Sequence, residues 1–160
     1  MNQTSLARLS GFLVEAKRQT YAGLDDDATI SAPILPGSKQ LEYHDHDLSY
    51  RDIYFGMSFF VGQETVQAGP KIIWSMSYAG GTASDVRDRE QFLAIYAFLR
   101  TALLAIPDDR PFRGPAQFED GEFRYVNNWR GDVAEFSGEE QIERRGITVY
   151  RLRYNGGAIR

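Results

Sequence analysis

The chain has 160 residues, a formal net charge of −4 and no cysteine. That length suits one compact domain or two small half-domains sharing a core; the acid excess argues against direct nucleic-acid binding over the whole surface, and the lack of cysteine excludes disulfides and thiolate metal or redox sites. No apolar run approaches the ~20 residues that span a bilayer, and the opening MNQTSLARLSGFLVEAKR mixes acid and base without a signal-peptide core, so a cytoplasmic protein with no membrane partner is expected.

The first helix is predicted from about Ser5 to Tyr21, because Leu6, Leu9, Leu13, Ala16 and Thr20 recur at helical spacing. Thr4 or Ser5 suits its N-cap. Arg8, Glu15, Lys17 and Arg18 are placed on its wet side, and Gly23 just past its end. Residues 22–39, with Asp25-Asp26-Asp27, Pro33 and Pro36-Gly37, break both helical and strand periods and read as a covering or binding loop.

Strands follow. Gln40–Tyr43 leads to a turn at His44–Asp47, and Leu48–Phe55 returns. Met57–Val66 is next, with a bulge expected at Gly62. Lys71–Tyr78 alternates, placing Ile72, Trp74, Met76 and Tyr78 on the core face. The second helix is predicted from Asp85 or Val86 to Ala105, with Ser84 or Asp85 as N-cap and Pro107 beyond its end. Its apolar residues spread well beyond one face, which predicts burial against the sheet and against the first helix or a partner subunit. A stiff connector, Pro107–Pro115, precedes further strands at Gln117–Glu119, Glu122–Trp129, Asp132–Glu143 and Ile147–Tyr154.

The segments Tyr50–Gly81 and Tyr125–Gly157 look alike. With one inserted residue, Tyr50/Tyr125, Gly56/Gly131, Phe60/Phe136, Gly62/Gly138, Glu64/Glu140, Tyr78/Tyr154, Gly80/Gly156 and Gly81/Gly157 coincide. Ordinary residue frequencies give roughly two identities over such a window. The expected fold is therefore α+β: a tandem duplication of a helix-plus-three-or-four-strand unit (about residues 4–81 and 84–157 of one domain, 1–160). Its antiparallel sheet carries the helices on one side about a pseudo-twofold axis.

Across nearly its whole length the chain also resembles a bacterial domain family of unassigned function. The residues that carry this are Asp47-Leu48-x-Tyr50-x-Asp52, Phe60-x-Gly62-Gln63-Glu64, Trp74-Ser75-Met76-x-Tyr78, Pro111-Phe112-Arg113-Gly114-Pro115 and Tyr154-Asn155-Gly156-Gly157. Some members look like helix-turn-helix regulators with this domain attached behind the DNA-binding part, so the resemblance implies a sensor role, here in a stand-alone version. It supplies no catalytic residues. Where relatives tend to have Glu-Gly-Asp before Leu48, this chain has His44-Asp45-His46-Asp47.

Candidate chemistry sits at few positions. His44 and His46, spaced i, i+2, share a strand face that suits a metal, but they fall at a hairpin turn, and neither a metal nor a cofactor is expected. Glu64 and Glu140 each follow a glycine by two residues; brought together they would share a proton or a cation, and apart they bond amides at a bulge. Asp52, between Tyr50 and Tyr54, reads as a ligand contact or as the partner of Arg113, whose donor fork suits a carboxylate or phosphate. Trp74, Tyr78, Tyr150 and Tyr154 read as a cleft at the axis or as aromatic core. Arg151 and Arg153 fall on an outer strand face, as an anion- or partner-binding surface or a solvated one.

The leading expectation is a small-molecule-binding or sensor domain with an aromatic-lined cleft between the units. Its ligand contacts are Tyr50, Asp52, Glu64, Trp74, Tyr78, Arg113, Glu140, Tyr150 and Tyr154. The alternatives are a carboxylate-dependent enzyme, and an interaction module that forms a homo-oligomer through the second helix.

Overall fold

Among the described residues, eight strands form one antiparallel sheet in the order β1-β2-β3-β4-β8-β7-β6-β5. The computed structural model describes residues 3–22 and 32–160. In chain order the elements are α1 (Gln3–Gln19), β1 (Lys39–Asp45), β2 (Leu48–Gly56), β3 (Phe59–Ala68), β4 (Lys71–Thr82), α2 (Arg89–Leu104), β5 (Gln117–Asp120), β6 (Phe123–Asp132), β7 (Glu135–Arg144) and β8 (Ile147–Ala158). The expected middle of the loop, residues 23–31, and the Gly23 cap lie outside the described residues, as does the Thr4 side chain.

The strand order follows from short hairpins. β1–β4 form one antiparallel run and β5–β8 another, and the runs join where β4 pairs with β8, with Tyr78 opposite Tyr154. Period-two alternation puts Tyr50, Val66, Trp74 and Met76 on the same face as Tyr125, Ile142, Tyr150 and Leu152, all in one core with Leu9, Leu13, Ile95 and Leu99 of the helices. Both helices therefore cover the same side. α2 buries Ile95, Tyr96, Phe98, Leu99, Ala102 and Leu103, which accounts for its breadth of apolar surface: it packs on the sheet and also on α1.

Three expectations change. The second helix starts at Arg89 with Asp88 as N-cap, accepting from Gln91 N at 3.0 Å, not at Asp85. The reason is that β4 stays hydrogen-bonded through Thr82, and Ala83 N still donates to Val149 O at 2.9 Å, so residues 83–88 are needed to leave the sheet. The bulge falls between Val66 and Gln67, with another between Ile142 and Glu143, not at Gly62. Ile72 is exposed while Ile73 packs toward the core, because that same register shift reverses the alternation ahead of Trp74.

Gly62 has a different purpose. A Cβ there would stand 2.3 Å from the Tyr78 ring, and one at Gly138 would stand 2.3 Å from the Tyr154 ring. Each glycine leaves a gap in the middle strand through which a tyrosine crosses toward the strand beyond.

Candidate functional site

That crossing builds the polar floor of the sheet. Neighbouring strands lie about 4.8 Å apart, so a tyrosine laid flat over a glycine reaches the second strand away. Tyr78 of β4 passes over Gly62 of β3 and its hydroxyl donates to Asp52 Oδ1 of β2 at 2.7 Å. Tyr154 of β8 passes over Gly138 of β7 and donates to Asn127 Oδ1 of β6 at 2.8 Å. Asp52 lies directly across from Glu64, and Asn127 across from Glu140. All four are buried.

Each glutamate has a cation. Lys17 of α1 donates to Glu64 and, at 2.9 Å, to the Phe112 carbonyl. The sequence placed Lys17 on the wet side, yet it is 8% exposed. The signal was available, because Leu6, Leu13 and Lys17 share one helical face at i, i+7 and i+11. Arg113 grips Glu140 with both arms of its fork, Nε to Oε2 at 3.0 Å and Nη2 to Oε1 at 2.6 Å. It does not pair with Asp52. The connector dictates this: Gly114 N donates to Tyr125 Oη and Asn127 Nδ2 donates to Gly114 O, both at 3.0 Å, fixing Arg113 over β6 and β7.

Glu140 also accepts from Tyr125 Oη at 2.6 Å and Tyr150 Oη at 3.0 Å, so both oxygens are saturated. Glu64 and Glu140 are therefore not brought together: each belongs to its own hydrogen-bond network.

Burial, reinforced by the charge of Glu64, pushes the Asp52 carboxyl up to about 7, against the pull of the Tyr78 hydrogen bond and of Lys17 and Arg113. Burial draws the Lys17 ammonium below its ordinary value, against the attraction of Glu64. Burial also opposes the Arg113 guanidinium, but Glu140 outweighs it and holds it well above the usual range. Burial raises the hydroxyls of Tyr50, Tyr78, Tyr125 and Tyr150, so they remain donors at neutral pH.

A cavity of about 580 Å³ opens over the first of these floors. Among the described residues its walls come from α1, β1–β4, the segment before α2, α2 itself and the connector. Of the nine residues predicted as ligand contacts, Tyr50, Asp52, Glu64, Tyr78 and Arg113 line it. Trp74, Glu140, Tyr150 and Tyr154 do not. The cavity draws walls from both of the expected spans, 4–81 and 84–157, but the axis where β4 meets β8 is filled: Trp74 stacks on Phe136 at 5.7 Å and donates Nε1 to Val133 O at 3.0 Å, while Tyr150 packs against Phe60 and Tyr96. Phe112 stacks on Phe136 at 4.0 Å and closes that side. Sequence reasoning missed the opposite wall, Phe60 together with Phe92 and Tyr96 of α2, whose rings lie 4.6 Å apart.

His44 and His46 stand exposed at the β1–β2 turn. His44 Nδ1 is 2.9 Å from Ser49 Oγ, and His46 Nδ1 is 2.9 Å from Asp45 Oδ1. Among the described residues no three His, Cys, Asp or Glu side chains gather as a metal set. Arg151 and Arg153 share Glu139, at 3.3 and 2.8 Å, on the outer face. Among the described residues no helix is long and apolar enough to cross a membrane.

Residues 52–159 match the family described as a domain of unknown function, DUF5680. The chain belongs to this family. No curated protein and no solved structure matches it significantly. The family's matched span takes in Asp52, Glu64, Tyr78 and Arg113 and stops short of Lys17 and Tyr50.

Proposed function

We propose that this DUF5680 protein is a cytoplasmic small-molecule-binding domain of the sensor type, and that its ligand occupies the cavity over β2 and β3. One observation carries the reading: some 580 Å³ of space stands above a floor of buried carboxylates, walled by aromatic rings. Such a volume suits a small metabolite, and an apolar wall with a few fixed polar groups is the usual make-up of a ligand site. The reading includes an internal duplication, supported by the mirrored strand order and by the matching crossings of Tyr78 over Gly62 and Tyr154 over Gly138. On that reading one unit keeps its floor open and the other is capped by the connector.

A second reading, carboxylate-dependent catalysis, is favoured by Asp52 alone, because a group titrating near 7 both gives and takes protons at neutral pH. The two part on turnover: a bound compound recovered unchanged supports the sensor, and its conversion the enzyme.

The test is a thermal-shift screen against a metabolite library, with each stabilising compound mapped by amide chemical shifts. A ligand that prefers the folded state raises its melting temperature. The expected result is perturbation at Tyr54, Phe92 and Tyr96, with Phe118 and Trp129 unmoved. A screen without stabilising compounds, or one whose compounds map away from the cavity, rejects the proposal.

A further inference from the structure

We infer that the cavity takes a small organic cation: its ammonium or amidinium head seats on Asp52 beside Glu64, and its apolar body lies among Phe60, Phe92 and Tyr96. The inference rests on the cavity being a binding site, and it deepens that reading by naming what binds.

The argument is one of charge balance. Glu140 is neutralised by Arg113 and Glu64 by Lys17. Asp52 is 4% exposed and borders the cavity, and among the described residues its one bonded donor is the uncharged hydroxyl of Tyr78. The floor therefore holds one more carboxylate than it has cations. A buried carboxylate without a countercharge is costly. In the free protein burial, with the charge of Glu64 beside it, favours a proton on Asp52 up to about 7, even though Lys17 and Arg113 pull the other way. A ligand cation fills the same deficit and displaces that proton.

The remaining charges do not reverse this. Arg113 is committed to Glu140. Lys39 of β1 and Arg100 of α2 are half-buried and have interactions of their own. Arg87, Asp88 and Arg89 stand exposed at the mouth, where solvent and salt damp a unit charge within about 8–10 Å. The hydroxyls of Tyr50 and Tyr78 are uncharged donors. Aromatic rings flanking the space also favour a cation over an anion, because ring faces are negative.

Three compounds of one shape test this: 2-phenylethylamine, 2-phenylethanol and 3-phenylpropionate, titrated against the cavity amides. The expected result is that the amine binds ~10- to 100-fold tighter than the alcohol, the range for a charge-assisted hydrogen bond, with the carboxylate weakest. Asp52→Asn should erase the amine's advantage and leave the alcohol unchanged. This variant should fold, because Asn127 already occupies the matching place and accepts the same bond from Tyr154. The unaltered protein gives a second reading. Since the amine must displace a proton from Asp52, its affinity should rise from about pH 6 to about pH 8, while that of the alcohol stays flat.

Equal or tighter binding of the alcohol or the carboxylate, an unchanged amine affinity in Asp52→Asn, or a flat pH profile overturns the cation class and leaves the cavity reading standing. If none of the three moves a cavity amide while the metabolite screen yields a binder there, the cation class again fails alone. If that screen is also empty, both readings fail.

Discussion

Asp52 and Asn127 face Glu64 and Glu140 across neighbouring strands, and each accepts a hydrogen bond from a tyrosine two strands away. One heavy atom separates the two side chains, and the consequences differ widely. Over β6 and β7 the amide leaves a single carboxylate, which Arg113, Tyr125 and Tyr150 saturate. Phe112 and the connector then close the space. Over β2 and β3 a second carboxyl stands beside Glu64, to which Lys17 is bonded, and the space above it stays open. The comparison teaches that two like strand arrangements can carry either a sealed floor with one paired carboxylate or an open floor with two carboxyls, and that the two differ in the group opposite the glutamate.

The strongest blow to the sealed floor is Arg113→Ala. Removing one member of a buried pair strands the other, which costs about 3–5 kcal/mol, so urea denaturation should show a loss of that size. A loss near zero would mean that the arginine is not what seals β6 and β7.

Next is the charge itself. The folded-state value of Asp52, about 7, lies above its ordinary 3.8. Between those values the folded state binds more protons than the unfolded one. Stability from this group is therefore fully present below about 4 and lost as pH rises through 7. Asp52→Asn should flatten that slope and leave the protein more stable at pH ~8, by on the order of a few kcal/mol. Asn127→Asp should do the reverse, giving the second floor the acid it lacks. Denaturation midpoints of both variants across pH check the pair, and parallel curves for variant and parent would remove the contrast between the floors.

Gly62→Ala and Gly138→Ala strike both floors alike. The added Cβ would meet a ring already held by its hydroxyl, so the strands must part, at a cost of about 1–3 kcal/mol each. Thermal melts that differ sharply between the two would show that the crossings are not equivalent.

The smallest effect belongs to Tyr78→Phe, about 1 kcal/mol for one hydrogen bond. Since that bond favours the charged acid, losing it should move the Asp52 titration, followed by carboxyl carbon NMR, further upward.

Much of this was legible in the residues. Alternation and hairpin turns mark the buried strand faces except at Ile72, where the register shift intervenes, and the recurrence of Tyr50, Gly62, Glu64 and Tyr78 as Tyr125, Gly138, Glu140 and Tyr154 points to the floor positions. Pairing partners were not legible, because they depend on reach across strands. Arg113 reads from the sequence as one of two candidate partners for Asp52, but the hydrogen bonds of Gly114 hold it over Glu140. Lys17 was lost for a related reason: a lysine on a helix is normally solvated, and its burial follows only from an acid on the sheet below. The cavity wall on α2 was hidden because a phenylalanine facing open volume has the same sequence pattern as one facing core.

The position of β8 has a consequence for synthesis. It pairs with β4 at the middle of the sheet, yet its residues, 147–158, are translated after those of the other seven described strands. Until they emerge, β4 is a bare edge displaying unpaired amides and carbonyls, ready to recruit any extended segment nearby. A nascent chain stalled after α2 would hold a four-stranded half in that state, with dimerisation or aggregation along β4 as its natural fate.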